Sequence, residues 1–176
     1  MRYTYQVKIT LLDTNPPIWR TVLVPDTIIL DDFHEVIQDV MGWMDCHLHQ
    51  FIAHEKSYGL LDEEFDFDFE MEDESKYSLS HLLTKEKETL IYEYDFGDCW
   101  RHKVLLEKIL PYDAKLILPV CIKGKRACPP EDCGGTSGYE ELLEIISDQK
   151  NPEYEEVLEW IGEDFDPEEF DINEVH

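Results

Sequence analysis

Two alternating runs on either side of a short polar turn constrain the fold more than any other part of the sequence. Residues 89–95 and 100–109 each alternate apolar with polar side chains, and Phe96-Gly97-Asp98 separates them. Alternation of this kind around a glycine-containing turn is typical of an antiparallel β-hairpin. The sequence therefore predicts a sheet built from locally paired strands.

The alternation also predicts the register of this hairpin. If Tyr92 shares a face of the sheet with His102, the sequence numbers of any two paired residues must add up to an even number. This requires a loop with an odd number of residues, about three or five. Glu93 then lies opposite Arg101. Gly97 is expected at the left-handed position of a bulged turn.

Further elements follow from periodicity. Residues 3–12 alternate and residues 18–24 are rich in β-branched side chains, with Asn15-Pro16-Pro17 between them, which predicts a first hairpin. Apolar residues at positions 33, 36, 37, 40 and 41 predict a helix after it, capped by Asp31 or Asp32 and closed by Gly42. Residues 60–74 alternate phenylalanines with acids, as an edge strand or a loop would.

The C-terminal part indicates a pair of helices. Ser137 with Glu140 fits a capping box for the first helix, and Pro152 fits the start of a second one over residues 152–161. Together these patterns predict one α+β domain over residues 1–176. It has a mostly antiparallel sheet, one helix after the first hairpin, a C-terminal helical pair and an acidic tail at 162–176.

Charge is distributed unevenly along the chain, whose net charge is −26. Residues 62–74 hold nine acids and no base, residues 131–176 carry −16, and residues 99–130 carry +5. Intramolecular complementarity between the basic middle and the acidic tail is the first interpretation, and a local anion site in the middle is the alternative. The overall charge argues against general nucleic-acid binding and against anionic membranes.

Cysteine number and hydropathy indicate the compartment. The chain has five cysteines, an odd number, and neither an apolar secretion segment nor a membrane-spanning apolar run. Thiols that are free or metal-bound are typical of a reducing compartment. We therefore expect a cytoplasmic protein.

The turn of the central hairpin is dense in residues that can carry chemistry. Asp95 and Asp98 flank it and His102 follows, while Glu131 is the candidate from a second loop. Aspartates at a turn commonly satisfy backbone amides. Alternatively, these carboxylates and the imidazole of His102 bind a hard cation or perform acid–base catalysis. Trp100 is a candidate binding residue, although core positions are the preferred interpretation for Trp100 and His102.

Zinc or another divalent cation is a further hypothesis. Cys121, Cys128 and Cys133 have irregular spacing, and only the last two approach the pairs found in structural zinc sites. Buried or partly buried thiols are the alternative. His47 and His49 alternate, so both would project from one strand face, as metal ligands or as aromatic core residues.

The second loop precedes the predicted helical pair. Gly134 and Gly135 offer backbone amides at a helix amino terminus, where a phosphate or carboxylate could bind with help from Lys125 and Arg126. Glu131 and Asp132 oppose such a site. We expect the functional surface to join the turn at 95–102 to the loop at 128–139, which also contains Tyr139.

Four stretches together carry a resemblance to a known family. They are His34-x-x-Ile37-Gln38 with Gly42-Trp43 and His47-Leu48-His49-x-Phe51; Tyr92-x-Tyr94-Asp95-Phe96-Gly97-Asp98-x-Trp100-x-His102; Cys128-Pro129-Pro130-Glu131-Asp132-Cys133-Gly134-Gly135-x-x-Gly138-Tyr139; and Phe165-Asp166-Pro167-Glu168-x-Phe170-Asp171. Over nearly its whole length the chain resembles the pRiA-plasmid ORF-three-like family, whose members are also labelled transposon passenger or TnpR-like proteins. It departs at Phe33, where the family often has leucine, and at His176, where asparagine is usual.

The resemblance implies a single α+β domain and no established activity. Recombinase chemistry requires clustered arginines around a phosphate, whereas this chain has four scattered arginines. We therefore expect a non-catalytic binding or regulatory module for an unidentified protein or a small anionic ligand. The alternative is a metal-dependent hydrolase or nuclease-like enzyme that uses Asp95, Asp98 and His102.

Overall fold

The central hairpin lies in the middle of an eight-stranded sheet in the computed structural model, which describes residues 2–60 and 71–174. The strands are β1 (Tyr3–Leu11), β2 (Ile18–Pro25), β3 (His49–Ala53), β4 (Lys56–Gly59), β5 (Met71–Asp73), β6 (Thr89–Tyr94), β7 (Trp100–Pro111) and β8 (Val120–Lys125). The helices are α1 (Leu30–Met41), α2 (Leu79–Leu82), α3 (Gly135–Ile146) and α4 (Tyr154–Ile161).

The strands follow the order β5-β4-β3-β6-β7-β1-β2-β8 across the sheet. All neighbours are antiparallel except β4 and β5, which are parallel. One helix, α1, follows the first hairpin, and α3 and α4 form the C-terminal pair. The predicted α+β class with a mostly antiparallel sheet is therefore confirmed.

The register of the central hairpin is the predicted one. Tyr92 pairs with His102 and Glu93 pairs with Arg101, so paired numbers sum to an even number. The Arg101 guanidinium lies 3.6 Å from the Glu93 carboxylate. Both tyrosines of β6 are consequently on the buried face, where α1 covers the sheet.

The prediction of a left-handed Gly97 is wrong. The positive φ angles belong to Asp95 (63°) and Cys99 (57°), at the two ends of the five-residue connection. The Asp95 carboxylate accepts hydrogen bonds from the amides of Gly97 and Asp98, and the Cys99 amide donates to the Asp95 carbonyl. This side-chain acceptor closes a helical turn over residues 96–98, so the chain reverses direction without a left-handed glycine.

Helix α1 packs through the predicted apolar residues, which are buried against the sheet. It ends at Gly42, whose φ of 106° is the expected left-handed cap. The predicted caps Asp31 and Asp32 are wrong, because the helix begins at Leu30 with Ile29 in the capping position. Leu30 is fully buried and its amide is hydrogen-bonded to the segment before α2, so a tertiary contact sets this start.

The predicted start of the C-terminal helical pair is also displaced. Helix α3 begins at Gly135, so Ser137 lies inside it and does not cap it. The tail after α4 packs back on the sheet: the Ala127 amide donates to the Pro167 carbonyl, and Arg126 contacts the Glu168 carboxylate at 2.9 Å. These contacts support complementarity between the basic middle and the acidic tail.

A buried guanidinium connects the tail to the sheet. Arg20 of β2 is 2% exposed, donates to the Val40 carbonyl at 2.7 Å and stacks over the Phe170 ring at 4.1 Å. Burial lowers the pKa of Arg20. A side chain at Gly124 would overlap with this Phe170 ring, so the close packing requires glycine there.

The expectations about membrane spans and about the stretch at 60–74 can be compared only with the described residues. In these residues, no helix is both long and apolar enough to cross a bilayer. The alternating stretch at 60–74 ends in β5, while its phenylalanines, Phe65, Phe67 and Phe69, lie outside the described residues.

Candidate functional site

The structure brings the central turn and the second loop into direct contact. The Gly134 amide donates to the Asp98 carboxylate at 3.2 Å. Gly135, with a φ of 74°, packs so closely that a Cβ would lie 2.5 Å from the Asp98 carbonyl oxygen. Only glycine permits this approach. We call the turn at 95–99, the loop at 128–135 and the adjoining residues 42–44 and 46–48 the loop junction.

Glu131 and Tyr94 link the three segments of the loop junction. The Tyr94 hydroxyl donates a short hydrogen bond to Glu131 and accepts one from the Cys46 amide at 2.9 Å. The second Glu131 oxygen accepts from the Met44 amide at 2.8 Å. Burial, and then the hydrogen bond to Glu131, raises the pKa of Tyr94, so its hydroxyl keeps the proton it donates.

Three ligand-type side chains converge in the loop junction, one from each segment. His47 Nε2 lies 2.9 Å from an Asp132 oxygen and 3.5 Å from an Asp95 oxygen. The other Asp95 oxygen is engaged by the turn amides described above. The sequence did not link His47 to these aspartates. The pairing of β3 with β6 was the missing signal, because the Asp95 amide donates to the carbonyl of Leu48, the residue after His47.

His49 lies in a separate cluster beneath α1, which we call the buried network: His34, Gln38, Asp45, His49, Glu74 and Tyr92. The His34 and His49 rings are stacked with centroids 3.5 Å apart. His49 Nε2 lies 2.8 Å from the nearly inaccessible carboxylate of Glu74. The two histidines expected on one face therefore serve different clusters.

Hydrogen bonds fix the roles of the buried network. His34 Nε2 donates to Asp45 at 2.9 Å, which leaves its Nδ1 to accept from the Tyr92 hydroxyl at 2.6 Å. Gln38 donates to the same hydroxyl oxygen at 2.9 Å. Burial, and then the neighbouring His49, lowers the pKa of His34. The polar groups of this cluster satisfy one another.

His102 and Trp100 lie in the core and not in the loop junction. His102 is fully buried, donates from Nδ1 to the Tyr92 carbonyl and accepts at Nε2 from the Trp43 indole. Burial lowers the pKa of His102 to about 4. The catalytic hypothesis for His102 needs correction, because both ring nitrogens are engaged where no substrate reaches them. Trp100 is also completely buried.

The structure does not assemble the hypothesised cysteine zinc site. In residues 2–60 and 71–174, no group of three close ligand atoms includes a cysteine. The Cys121 sulfur faces the Lys123 carbonyl at 3.5 Å, and the charge of Arg20 acts on both Cys121 and Cys128. Burial raises the pKa of Cys133 to about 12. The Arg20 guanidinium already supplies a positive charge beside the Cys121 and Cys128 thiols. This supports the alternative that these thiols are buried or partly buried and bind no metal.

The amino terminus of α3 is engaged by the chain itself. The Asp98 carboxylate accepts a hydrogen bond from the Gly134 amide. Arg126 forms an ion pair with Glu168 and donates to the Pro16 carbonyl. A carboxylate at this position satisfies the helix dipole. The arrangement argues against a small anionic ligand at this helix terminus.

A groove of about 430 Å³ leads away from the loop junction between α3 and α4. Cys133 belongs to the loop junction and also lines this groove. Apolar side chains and three glutamates line it: Gly138, Leu142, Ile145, Val157 and Trp160, with Glu141, Glu153 and Glu156. Trp160 is 56% exposed. Tyr139, predicted as a binding residue, is buried on the other side of α3 against Phe165. Burial raises the pKa of Tyr139 to about 12.

Comparisons with known proteins identify a family, and two similar proteins are among the matches. A family model described as plasmid pRiA4b ORF-3-like protein matches residues 3–174. An uncharacterized protein, y4hQ, of Sinorhizobium fredii (strain NBRC 101917 / NGR234) is 36% identical over 143 residues, which are 81% of this chain and 73% of that protein. A crystal structure of a protein of unknown function, MM3350, from Methanosarcina mazei Go1 superposes with a TM-score of 0.92 at 40% identity, and the match covers 100% of this chain and 99% of that one.

Proposed function

The chain belongs to the plasmid pRiA4b ORF-3-like protein family, and we propose that it is a non-catalytic module that binds a basic segment of a partner protein in the groove between α3 and α4. The observation that carries the proposal is the exposed Trp160 beside an apolar floor with a rim of glutamates. Exposed tryptophans next to apolar pockets are typical anchors of protein interfaces.

The charge of the groove supports a basic partner. Glu141, Glu153 and Glu156 line it, and of the described residues that line it none is basic. The surrounding segment, residues 131–176, carries −16. A lysine- or arginine-bearing segment with apolar residues on one side fits both the floor and the rim. Nucleic acid would be repelled by the same rim.

The position of the catalytic candidates supports a binding role. His102 is sealed in the core, and the Asp98 carboxylate binds the Gly134 amide. A metal-dependent hydrolase or nuclease needs its acid–base group within reach of a substrate. We further propose that the module acts in the cytoplasm, which its odd number of cysteines supports.

Two synthetic peptides test the proposal. Both are amphipathic helices of about 14 residues with the same leucines, and their polar positions are lysine in one and glutamate in the other. We expect the lysine peptide to bind, with a change in the emission of Trp160, and the glutamate peptide not to bind. Titration calorimetry gives the affinity, and added salt should weaken it.

Variants in α4 and at its amino-terminal capping residue, Glu153, provide matched controls. Glu153→Gln with Glu156→Gln should weaken lysine-peptide binding about fivefold or more, because two rim charges are lost. Glu155→Gln with Glu159→Gln makes the same change in charge at residues that do not line the groove, and should leave binding nearly unchanged. Trp160→Ala should weaken binding about tenfold or more. Equal effects of the two glutamine pairs, or no binding at all, would refute a groove-specific role.

A further inference from the structure

We infer that His47, Asp95 and Asp132 in the loop junction form a binding site for a divalent transition-metal ion of the Zn²⁺ type. The three side chains come from three different segments, and one donor atom of each lies within 4.8 Å of the other two. One imidazole and two carboxylates form a ligand set that first-row divalent ions accept. The site is separate from the groove between α3 and α4.

Two of the distances between donor atoms are close to those around a shared ion, and the third is below 4.8 Å. Ligands at about 2.1 Å from a zinc ion, separated by angles of about 90–109°, lie about 3.0–3.4 Å from each other. His47 Nε2 lies 2.9 Å from Asp132 and 3.5 Å from Asp95. The side chains therefore need only small adjustments to surround one ion.

The environment of His47 Nε2 argues against a simple hydrogen bond to either aspartate. This atom is shielded from solvent and has no hydrogen-bond partner with acceptable geometry, although an Asp132 oxygen is 2.9 Å away. A protonated imidazole would direct its single Nε2 proton at one of the two carboxylates. The Asp95 and Asp132 oxygens flank Nε2 but lie off the direction of an N–H bond. This arrangement fits an ion that lies in the plane of the ring.

The buried network provides an internal comparison that favours the loop junction. His34, Asp45 and His49 also bring three ligand atoms within 4.8 Å. Their imidazole rings, however, are nearly parallel, with an angle of 8° and centroids 3.5 Å apart. An imidazole nitrogen binds an ion in the plane of its own ring, so two stacked rings cannot both bind one ion. Of these two groups, only the one in the loop junction has suitable geometry.

The site would leave coordination positions open on its solvent side. The Asp132 side chain is 68% exposed and that of His47 is 28% exposed, so water can complete the coordination sphere. Asp95 is already oriented by the amides of its own turn. Supporting hydrogen bonds of this kind are typical around metal ligands. A bound ion would join the loop that precedes α3 to the strands β3 and β6.

Calorimetric titration of the full chain with Zn²⁺ tests the inference, with Mg²⁺ as the comparison ion. We expect one Zn²⁺ per chain and weaker binding of Mg²⁺, which prefers oxygen ligands alone. Co²⁺ provides a second readout, since a site of nitrogen and oxygen ligands gives ligand-field absorption without the charge-transfer band of a cysteine thiolate. A thiolate band from the tightest site would overturn the assignment.

Two aspartates paired with histidines give a matched pair of variants. Asp132→Asn should weaken Zn²⁺ binding about tenfold or more, because a coordinating carboxylate is lost. Asp45→Asn, which changes an exposed aspartate of the buried network, should change it less than about twofold. Absence of Zn²⁺ binding, unchanged binding in Asp132→Asn, or an equal loss in both variants would overturn the proposal. The first of these results would leave His47 as an ion-pair partner of the two aspartates.

Discussion

The buried network and the loop junction place the same kinds of side chain two residues apart along the same two stretches of chain, 47–49 and 92–94, yet their surroundings differ. His49 and Tyr92 lie beneath α1, where Glu74, 2% exposed, is the partner of His49 and Gln38 donates to the Tyr92 hydroxyl. His47 and the hydroxyl of the buried Tyr94 instead contact carboxylates of the central turn and the second loop.

This contrast separates residues that hold the fold from residues that are free to bind. In the buried network, an unsatisfied group would be costly because water cannot reach it, so the groups satisfy one another. In the loop junction, an exposed carboxylate beside a histidine costs little and remains available to a ligand. Residue type alone therefore does not identify a functional site, whereas burial and hydrogen-bond saturation do.

Removal of one carboxylate from each region should give the largest difference. Glu74→Ala leaves His49 without its buried partner, and we expect a loss of about 3–5 kcal/mol in the free energy of unfolding. Asp132→Asn removes an exposed charge and should change it by about 1 kcal/mol or less. Urea denaturation measures both. If Glu74→Ala does not fold, Glu74→Gln keeps the size of the side chain and should still lose more stability than Asp132→Asn; similar losses would contradict the contrast.

Acid should destabilise the buried side of the molecule. The folded pKa of His102 is about 4, below its ordinary value of about 6.5, so the unfolded chain takes up the proton first. Stability from this residue is complete above pH 6.5 and is lost as pH falls to 4, by about 3 kcal/mol. The lowered pKa of His34 acts in the same direction. Wild type and His102→Gln, unfolded in urea at several pH values, provide the comparison.

The control for the acid effect is built into that comparison. Carboxylates titrate in both proteins, so only the difference between them reports on His102. We expect this difference to shrink by about 3 kcal/mol between pH 7 and pH 4. A difference that stays constant over this range would show that His102 is accessible to protons in the folded state.

Removal of single hydroxyl groups should give the smallest effect. Tyr92→Phe leaves the Gln38 side-chain amide without its acceptor and His34 Nδ1 without its donor under α1, and we expect a cost of about 2 kcal/mol. Tyr94→Phe removes the bonds to Glu131 and the Cys46 amide, and because Glu131 is half-buried and Cys46 is exposed, water can replace the lost hydroxyl for them, at a cost of about 1 kcal/mol. Thermal and urea unfolding measure both losses. A larger loss for Tyr94→Phe would mean that the loop junction, and not the buried network, stabilises the fold.

Much of the fold could be predicted because its signals are local. The even-sum register of β6 and β7 and the buried face of α1 both follow from periodicity in a single stretch of chain. The errors lie at the ends of elements. Asp31, Asp32 and Ser137 have suitable capping side chains, but the buried Leu30 and the contact of Gly135 with the central turn set the helix starts.

The candidate site was less accessible from the sequence because it depends on contacts between distant segments. The predicted turn and loop do meet, through Asp98 and Gly134. The partner of Asp95 and Asp132, in contrast, was not apparent, since His47 reaches them only when β3 pairs with β6. The register placed His102 on the face of Tyr92, but the alternation could not tell which face α1 covers.

The packing of Arg20 on Phe170 has a consequence for the order in which the molecule is made. Arg20 belongs to the second strand, whereas Phe170 emerges from the ribosome only after all eight strands and four helices have been synthesised. Until then the guanidinium has its carbonyl partners but lacks the ring that covers it. If the first hairpin folds during synthesis, Arg20 therefore lacks its covering ring until the tail packs against β2 and β8.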